Sequence, residues 1–231
     1  MQLSRQSSNQ NCSKLQCNLV PAGDGTGKAL VLLRDPGQFK WYIVPLLMIV
    51  FYITFDEIER GRLKSVLAAM AFFLTDFLNE IWNALFYKAT GFAAVWQVAG
   101  PTAFKTLIGW NIEIMFMFFI CGIVSTKLLP ENKDQLYFKY INNRHVFALF
   151  YSGISVLFEI CVHKMEAIYW NYWWWQPEFH WVFLIIGYLP FYEILFWVYD
   201  LPSVKSQVTF VLAMALPLLL AFGILINTGM I

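Results

Sequence analysis

TDFLNEIWNALFY, Thr75 to Tyr87, sets two carboxylates and two carboxamides among apolar side chains. Asp76, Asn79, Glu80 and Asn83 recur at i, i+3, i+4 and i+7, which is one face of an α-helix. The surrounding run, Ser65–Tyr87, is apolar and long enough to cross a bilayer. In lipid such a stripe must turn inward, toward protein or a wet cavity. The stretch therefore predicts a membrane helix with an acidic inner face.

Composition agrees. Of 231 residues 59% are hydrophobic and 13% are charged, whereas a soluble domain carries about 25% charged residues. A formal net charge of +1 gives no electrostatic footprint for nucleic acid. Cys12 and Cys17 fall in a polar tail and Cys121 and Cys161 in apolar runs, with no CxxC or Cys/His metal spacing. The first 38 residues lack a charged segment leading into an apolar one, so no cleavable signal is expected. Within them GDGTGK, 23–28, lacks the glycine spacing of a phosphate loop and reads as a flexible linker. Asn11-Cys12-Ser13 is a formal glycosylation sequon.

Six apolar runs approach the length that spans about 30 Å of hydrocarbon: Phe39–Phe55, Ser65–Tyr87, Thr106–Thr126, His145–His163, Phe179–Tyr199 and Gln207–Ile226. The expected fold is an all-α, polytopic membrane bundle of six transmembrane helices, with room for a seventh. A flexible tail would occupy 1–38 and the membrane domain 39–231. ALVLL, 29–33, is too short to span and is expected along the surface. DEIERGRLK (56–64), 127–144 and DLPSVK (200–205) are charged connections, while 91–104 and 168–181 are nearly uncharged and rich in Trp. The latter two read as interfacial or re-entrant caps. Lys and Arg divide evenly between the two sides, so the positive-inside rule sets no orientation. In either orientation the Trp-rich connections share one membrane face and the charged loops the other.

Depth follows from about 1.5 Å of rise per residue. Asp76 lies equidistant from Lys64 and Lys88, near the midplane, and Glu80 and Glu113 fall at matched depth on neighbouring helices. Ser152, Ser155, Glu159 and His163 form a second polar stripe, and Glu193 sits at about the depth of Asp76. Acids from four helices are thus expected to line one polar column. Asn and Ser in membrane bundles often serve only as hydrogen-bond glue, worth about 0.6 kcal/mol each. A carboxylate costs about 2.5–3.5 kcal/mol to insert at a helix centre, more than glue repays, and marks a functional site. Most of Trp170, Trp173, Trp174, Trp175 and Trp181 read as an interfacial belt. Three consecutive Trp cannot all face one way, so one or two read as pocket wall.

Away from water a carboxyl group favours its neutral form and can serve as a proton donor. Aromatic faces stabilise a cation formed when the proton is delivered. That combination suits protonation of an isoprenoid double bond or epoxide followed by ring closure. EIWNALFY, Glu80–Tyr87, preceded by FDEIERG (55–61), resembles the glutamate-bearing second helix of the small integral-membrane terpene cyclases of meroterpenoid pathways. YWNYWWWQPEF (169–179) and YEILFWVY (192–199) are similar to that family's late aromatic helix. The resemblance implies two buried acids. Glu80 matches the first. The second is an aspartate with no match here, Glu193 standing a few residues away.

The function expected is acid–base cyclisation or isomerisation of a lipophilic isoprenoid- or steroid-like substrate. Glu80 would donate the proton, Asp76 and Asn83 would orient it, and Glu193 or Glu113 would accept the proton returned. Trp96, Glu159, Trp173 and Tyr192 would line the substrate, and Trp82 would face lipid or a neighbouring helix. The expected partners are the bilayer and a lipophilic small molecule, with no cofactor and no metal, and with homo-oligomerisation left open. Three alternatives remain. A proton- or cation-coupled transporter also strings acids through a bundle, although no inverted repeat is evident. A carboxylate-bridged metal site on Glu159 and His163 lacks the usual Glu-x-x-His spacing. A non-catalytic subunit would use its stripes to dock a partner.

Overall fold

The computed structural model describes residues 24–231 apart from 101 and 138. The sequon at Asn11, Cys12 and Cys17 lie outside the described residues. The chain is an all-α, multi-pass membrane protein. Its helices are α1 (Asp24–Val31), α2 (Ile43–Glu59), α3 (Leu63–Thr90), α4 (Ile112–Lys127), α5 (Asn143–Lys164), α6 (Pro177–Tyr199) and α7 (Val204–Asn227). Four of them, α3, α5, α6 and α7, are long and apolar enough to cross a membrane.

Of the two remaining expected spans, α2 is as long as its apolar run but lies four residues later in the chain, and α4 is shorter than its run. Helix α2 has 17 residues and α4 has 16, about 25 Å each at about 1.5 Å per residue. Residues 106–111, expected to open the third span, instead belong to a hairpin of β2 (Lys105–Leu107) and β3 (Trp110–Asn111). Asn111 then caps α4, its side chain accepting from Ile114 N at 2.8 Å.

Helix α3 is the centre of the bundle and packs on α4, α6 and α7. It contains no Gly or Pro over 28 residues and ends at Gly91, whose φ of +62° makes a left-handed cap. Ala68, Ala69 and Ala71 are wholly buried, and a Cβ on Gly122 of α4 would sit 2.8 Å from Ala69 Cα. Small residues here bring α3 and α4 into backbone contact. Helix α6 is irregular. It opens with a 3-10 turn, runs as a π-helix over Phe183–Tyr188 and becomes α-helical from Leu189. Pro190, which has no N–H to give the helical ladder, stands two residues past the π stretch.

The Trp-rich connections meet on one face. β1 (Trp96–Val98) pairs antiparallel with β6 (Ile168–Trp170), Trp96 opposite Trp170. The charged connections meet at the other end. Lys127 Nζ lies 2.6 Å from the buried Glu57, which also accepts from Arg62 at 3.0 Å, and Arg144 grips Asp200. A short β4–β5 hairpin (Leu136–Tyr137, Ile141–Asn142) completes that side.

Residues 24–38, expected as flexible tail, are built into the fold. Thr26 and Ala29 on α1 are wholly buried, and Arg34 N donates to Lys105 O at 2.9 Å. The apolar spacing of Ala29, Leu30 and Leu33 buries this segment under the β1 cap. Lys105 is itself fully buried. Its Nζ donates to the Val98 and Ala29 carbonyls, and burial pushes its pKa down from 10.5 to about 8. The folded state then holds fewer protons than the unfolded state between pH of about 8 and about 10.5, so stability rises with pH across that window. Melting midpoints of the wild type should therefore climb relative to Lys105→Met over that range. Parallel curves for the two proteins would refute the assignment.

Candidate active site

Three acids from two helices converge on one chamber. Asp76 and Glu80 reach it from successive turns of α3 and Glu159 from α5, and all three are at least nine-tenths buried. The chamber holds about 290 Å³, within the lower range of small-molecule sites. Its walls are aromatic and aliphatic: Trp96, Trp174, Trp175, Phe118, Phe191 and Met117. No Lys, Arg or His is among the described residues that line it.

Each acid is held by an indole. Trp110 Nε1 donates to Asp76 Oδ2 at 2.6 Å, Trp96 Nε1 to Glu80 Oε1 at 2.6 Å, and Trp170 Nε1 to Glu159 Oε1 at 3.1 Å. Glu159 has a second donor, Tyr188 OH at 2.6 Å from Oε2. These donors come from the non-helical caps and from the π stretch of α6. In the antiparallel β1–β6 ribbon, directly opposed residues point to the same side, so Trp96 and Trp170 both reach the acids, Trp96 in the chamber wall and Trp170 behind Glu159. Asn83 fixes the ribbon to α3, donating to Trp96 O at 2.7 Å and accepting from Val95 N at 2.8 Å. Trp110 stacks on Phe77, ring centroids 4.8 Å apart.

Among the described residues Glu80 Oε2 has no hydrogen-bond partner. Gly109 leaves it room: a Cβ there would fall 2.6 Å from Glu80 Oε2 and 2.7 Å from the Trp96 ring. Gly109→Ala should cost about 1–3 kcal/mol through overpacking, read as a lower melting midpoint in detergent. A midpoint equal to wild type would show that the site has slack. Trp82, Phe158 and Ile186 also line the chamber, yet they are 44%, 54% and 65% exposed on the outer surface. The chamber therefore opens sideways, where α3, α5 and α6 would meet hydrocarbon.

Asp76, Glu80, Glu159 and Trp96 are brought together, with Asn79 also in the wall. Asn83 supports the site from behind. Glu113 and Glu193, expected in the same column, lie elsewhere. Glu113 stands in the first turn of α4, where it accepts from Thr102 Oγ1 at 2.7 Å, Ala103 N at 2.7 Å and Tyr42 OH. Such a position suits a negative charge at a helix start. Glu193 pairs with His145 at 2.8 Å on the outer side of the bundle. Trp173 is 72% exposed and packs edge-on against Phe179. Tyr192 is buried in the core and bonds Ser155 at 2.9 Å. His163 stacks on Trp170 and bonds Ile168 O through Nδ1 at 2.9 Å. Among the described residues no group of His, Cys, Asp and Glu is arranged to hold a metal ion.

The sequence reading missed Trp110, Trp170 and Tyr188 as carboxyl partners. A usable signal was present in the first case. Gly109-Trp110-Asn111 reads as a turn followed by a helix cap, which would have placed Trp110 beside the α3 stripe.

A family model described as an uncharacterized membrane protein family matches residues 23–227. A protein of Archaeoglobus fulgidus, described as an uncharacterized protein, is 44% identical over 199 residues, which cover 85% of this chain and 94% of that one. No solved structure matches the chain.

Proposed function

We propose that this chain, which belongs to that uncharacterized membrane protein family, is an enzyme that moves protons onto and off a lipophilic substrate, isoprenoid- or steroid-like, and so cyclises or isomerises it. One observation carries the reading: buried carboxyl groups face one another across an aromatic-walled chamber that opens toward hydrocarbon.

The hydrogen bonding divides the roles. Glu159 has donors on both oxygens, which suits a carboxylate, an acceptor-only group. Glu80 has one donor and one free oxygen, which suits an acid with a proton to give. In the proposed cycle the Glu80 proton adds to one carbon of a substrate double bond, whose electron pair forms the new C–H bond. The neighbouring carbon becomes a cation and is stabilised by the faces of Trp96, Trp174 and Trp175. A second double bond can attack it to close a ring. Loss of a proton from an adjacent carbon to Glu159 then restores a double bond. Proton transfer from Glu159 back to Glu80 resets the site, and the substrate's atoms are conserved.

The resemblance of Glu80–Tyr87 to the small membrane terpene cyclases supports the donor assignment. The acceptor moves from Glu193 and Glu113 to Glu159, because the first two do not face the chamber.

Lipid extracts of cells with and without the gene test the proposal. A cyclised or isomerised lipid present only with the gene is the expected result. Identical extracts, together with proton flux through the purified protein in proteoliposomes, would overturn the enzyme and assign transport.

A further inference from the structure

Two polar atoms in the chamber wall lack partners. Glu80 Oε2 is one. The other is Trp175 Nε1, which makes no well-formed bond although Glu159 is its neighbour; its ring lies 5.3 Å from that of Trp96, the indole that holds Glu80. Glu80 is 3% and Trp175 6% exposed, so neither atom is satisfied by bulk water. A buried polar group without a partner is costly, and two that line one chamber can be answered by a single ligand group. Trp175 Nε1 can only donate. Glu80 Oε2 accepts when ionised and donates when it carries the proton. A hydroxyl group answers both states, since its oxygen accepts from Trp175 while the group as a whole donates to or accepts from Glu80. Apart from the acids, Asn79 and Tyr188 the chamber wall is apolar, and it leads out past Trp82, Phe158 and Ile186. It offers no cation for a phosphate or a carboxylate.

We infer that the chamber binds a neutral lipid alcohol, its hydroxyl seated between Trp175 Nε1 and Glu80 Oε2 and its apolar chain running toward the bilayer. The inference rests on the reading that the chamber takes a lipophilic substrate, and adds to it the oxygen function that anchors that substrate. It excludes phosphorylated and anionic lipids as ligands of the chamber.

The test is competition binding to the purified full chain in nanodiscs. Radiolabelled farnesol is the probe. Unlabelled farnesol, geranylgeraniol and oleyl alcohol are compared with hydrocarbons of the same carbon skeletons and with farnesyl phosphate. A site built around a hydroxyl penalises the analogue that lacks it, because its own polar atoms are left bare. At least one alcohol should therefore compete tenfold or more better than its hydrocarbon and better than the phosphate. Trp175→Phe keeps an aromatic wall and removes the N–H, so it should shrink the preference for alcohol over hydrocarbon severalfold. The wild-type preference is read without any variant. Equal competition by alcohols and hydrocarbons would overturn the hydroxyl seat and leave the lipophilic reading standing. Preferred binding of the phosphate, or a Trp175→Phe protein with unchanged preference, would also overturn it. If no lipid binds saturably, both fail.

Discussion

Glu80→Gln is expected to abolish the lipid product while leaving the protein folded. Glutamine matches glutamate in shape, and its Oε1 still accepts from Trp96 Nε1, the 2.6 Å bond that orients the side chain. What it lacks is the proton. A carboxamide cannot protonate an alkene, and loss of a positioned general acid typically costs about 10²–10⁴-fold in rate. The melting midpoint should hold or rise, since the change removes a buried acid whose second oxygen has no partner. Glu159→Gln should also lower product, because an amide cannot take up the returning proton. Glu193→Gln and Glu113→Gln serve as the contrast. Both residues are acids of the bundle, but neither faces the chamber, and both variants should retain near-wild-type product per folded molecule. Full product from Glu80→Gln would end its assignment as donor. A loss equal to that in Glu80→Gln from either contrast variant would mean that general acidity of the bundle matters, and the chamber does not.

The largest expected loss of stability lies at the opposite face. Arg144 Nε donates to Asp200 Oδ2 at 2.7 Å and Nη2 to Oδ1 at 3.0 Å, a two-pronged pair between the start of α5 and the end of α6. Arg144 Nη1 further donates to Pro130 O at 3.0 Å, so one guanidinium ties the third connection to two helices. The side chains are 10% and 22% exposed, so water can do little for a cation left alone. Removing one partner of a buried pair typically costs about 3–5 kcal/mol, and the residual exposure of Asp200 places Asp200→Ala near the lower end. The midpoint in detergent should fall accordingly. The double variant Arg144→Leu with Asp200→Leu should be more stable than either single leucine variant, because it leaves no stranded charge. A single variant within about 0.5 kcal/mol of wild type would show that the pair behaves as an ordinary surface bridge.

Much of the bundle was legible in the sequence because lipid enforces a simple rule: polar faces turn inward. The α3 stripe follows it, with Asp76, Glu80 and Asn83 all buried. The α5 stripe does so too at Ser152 and Glu159. The two Trp-rich connections share one face, as the alternation of spans requires, and pair strand to strand. Depth alone misled the reading of Glu113 and Glu193. Rise along a helix gives the height of a side chain but not its direction about the axis. On α6 the residue that bonds a chamber acid is Tyr188, and Glu193 follows five residues later, about 140° around at about 100° per residue. The π stretch that sets this phase has no periodic signature in the sequence. Glu113 was displaced for another reason: the apolar run containing it begins as a hairpin, which leaves Glu113 in the first turn of α4, beside the Thr102–Ala103 loop.

The β1–β6 ribbon also has a consequence for biogenesis. It delivers one indole to Glu80 and another to Glu159, and its two strands are separated in the chain by α4 and α5. Synthesis proceeds from the N-terminus at about 5–20 residues per second. Glu80 therefore leaves the ribosome before Trp96, and both wait several seconds more for β6. During that interval α3 holds its acids in an unfinished bundle, where a protein-lined, water-filled refuge or an insertion factor must shelter them. A nascent chain arrested before Trp170 should accordingly be extracted from the membrane more readily than one released after Tyr188, when the last donor to Glu159 is in place.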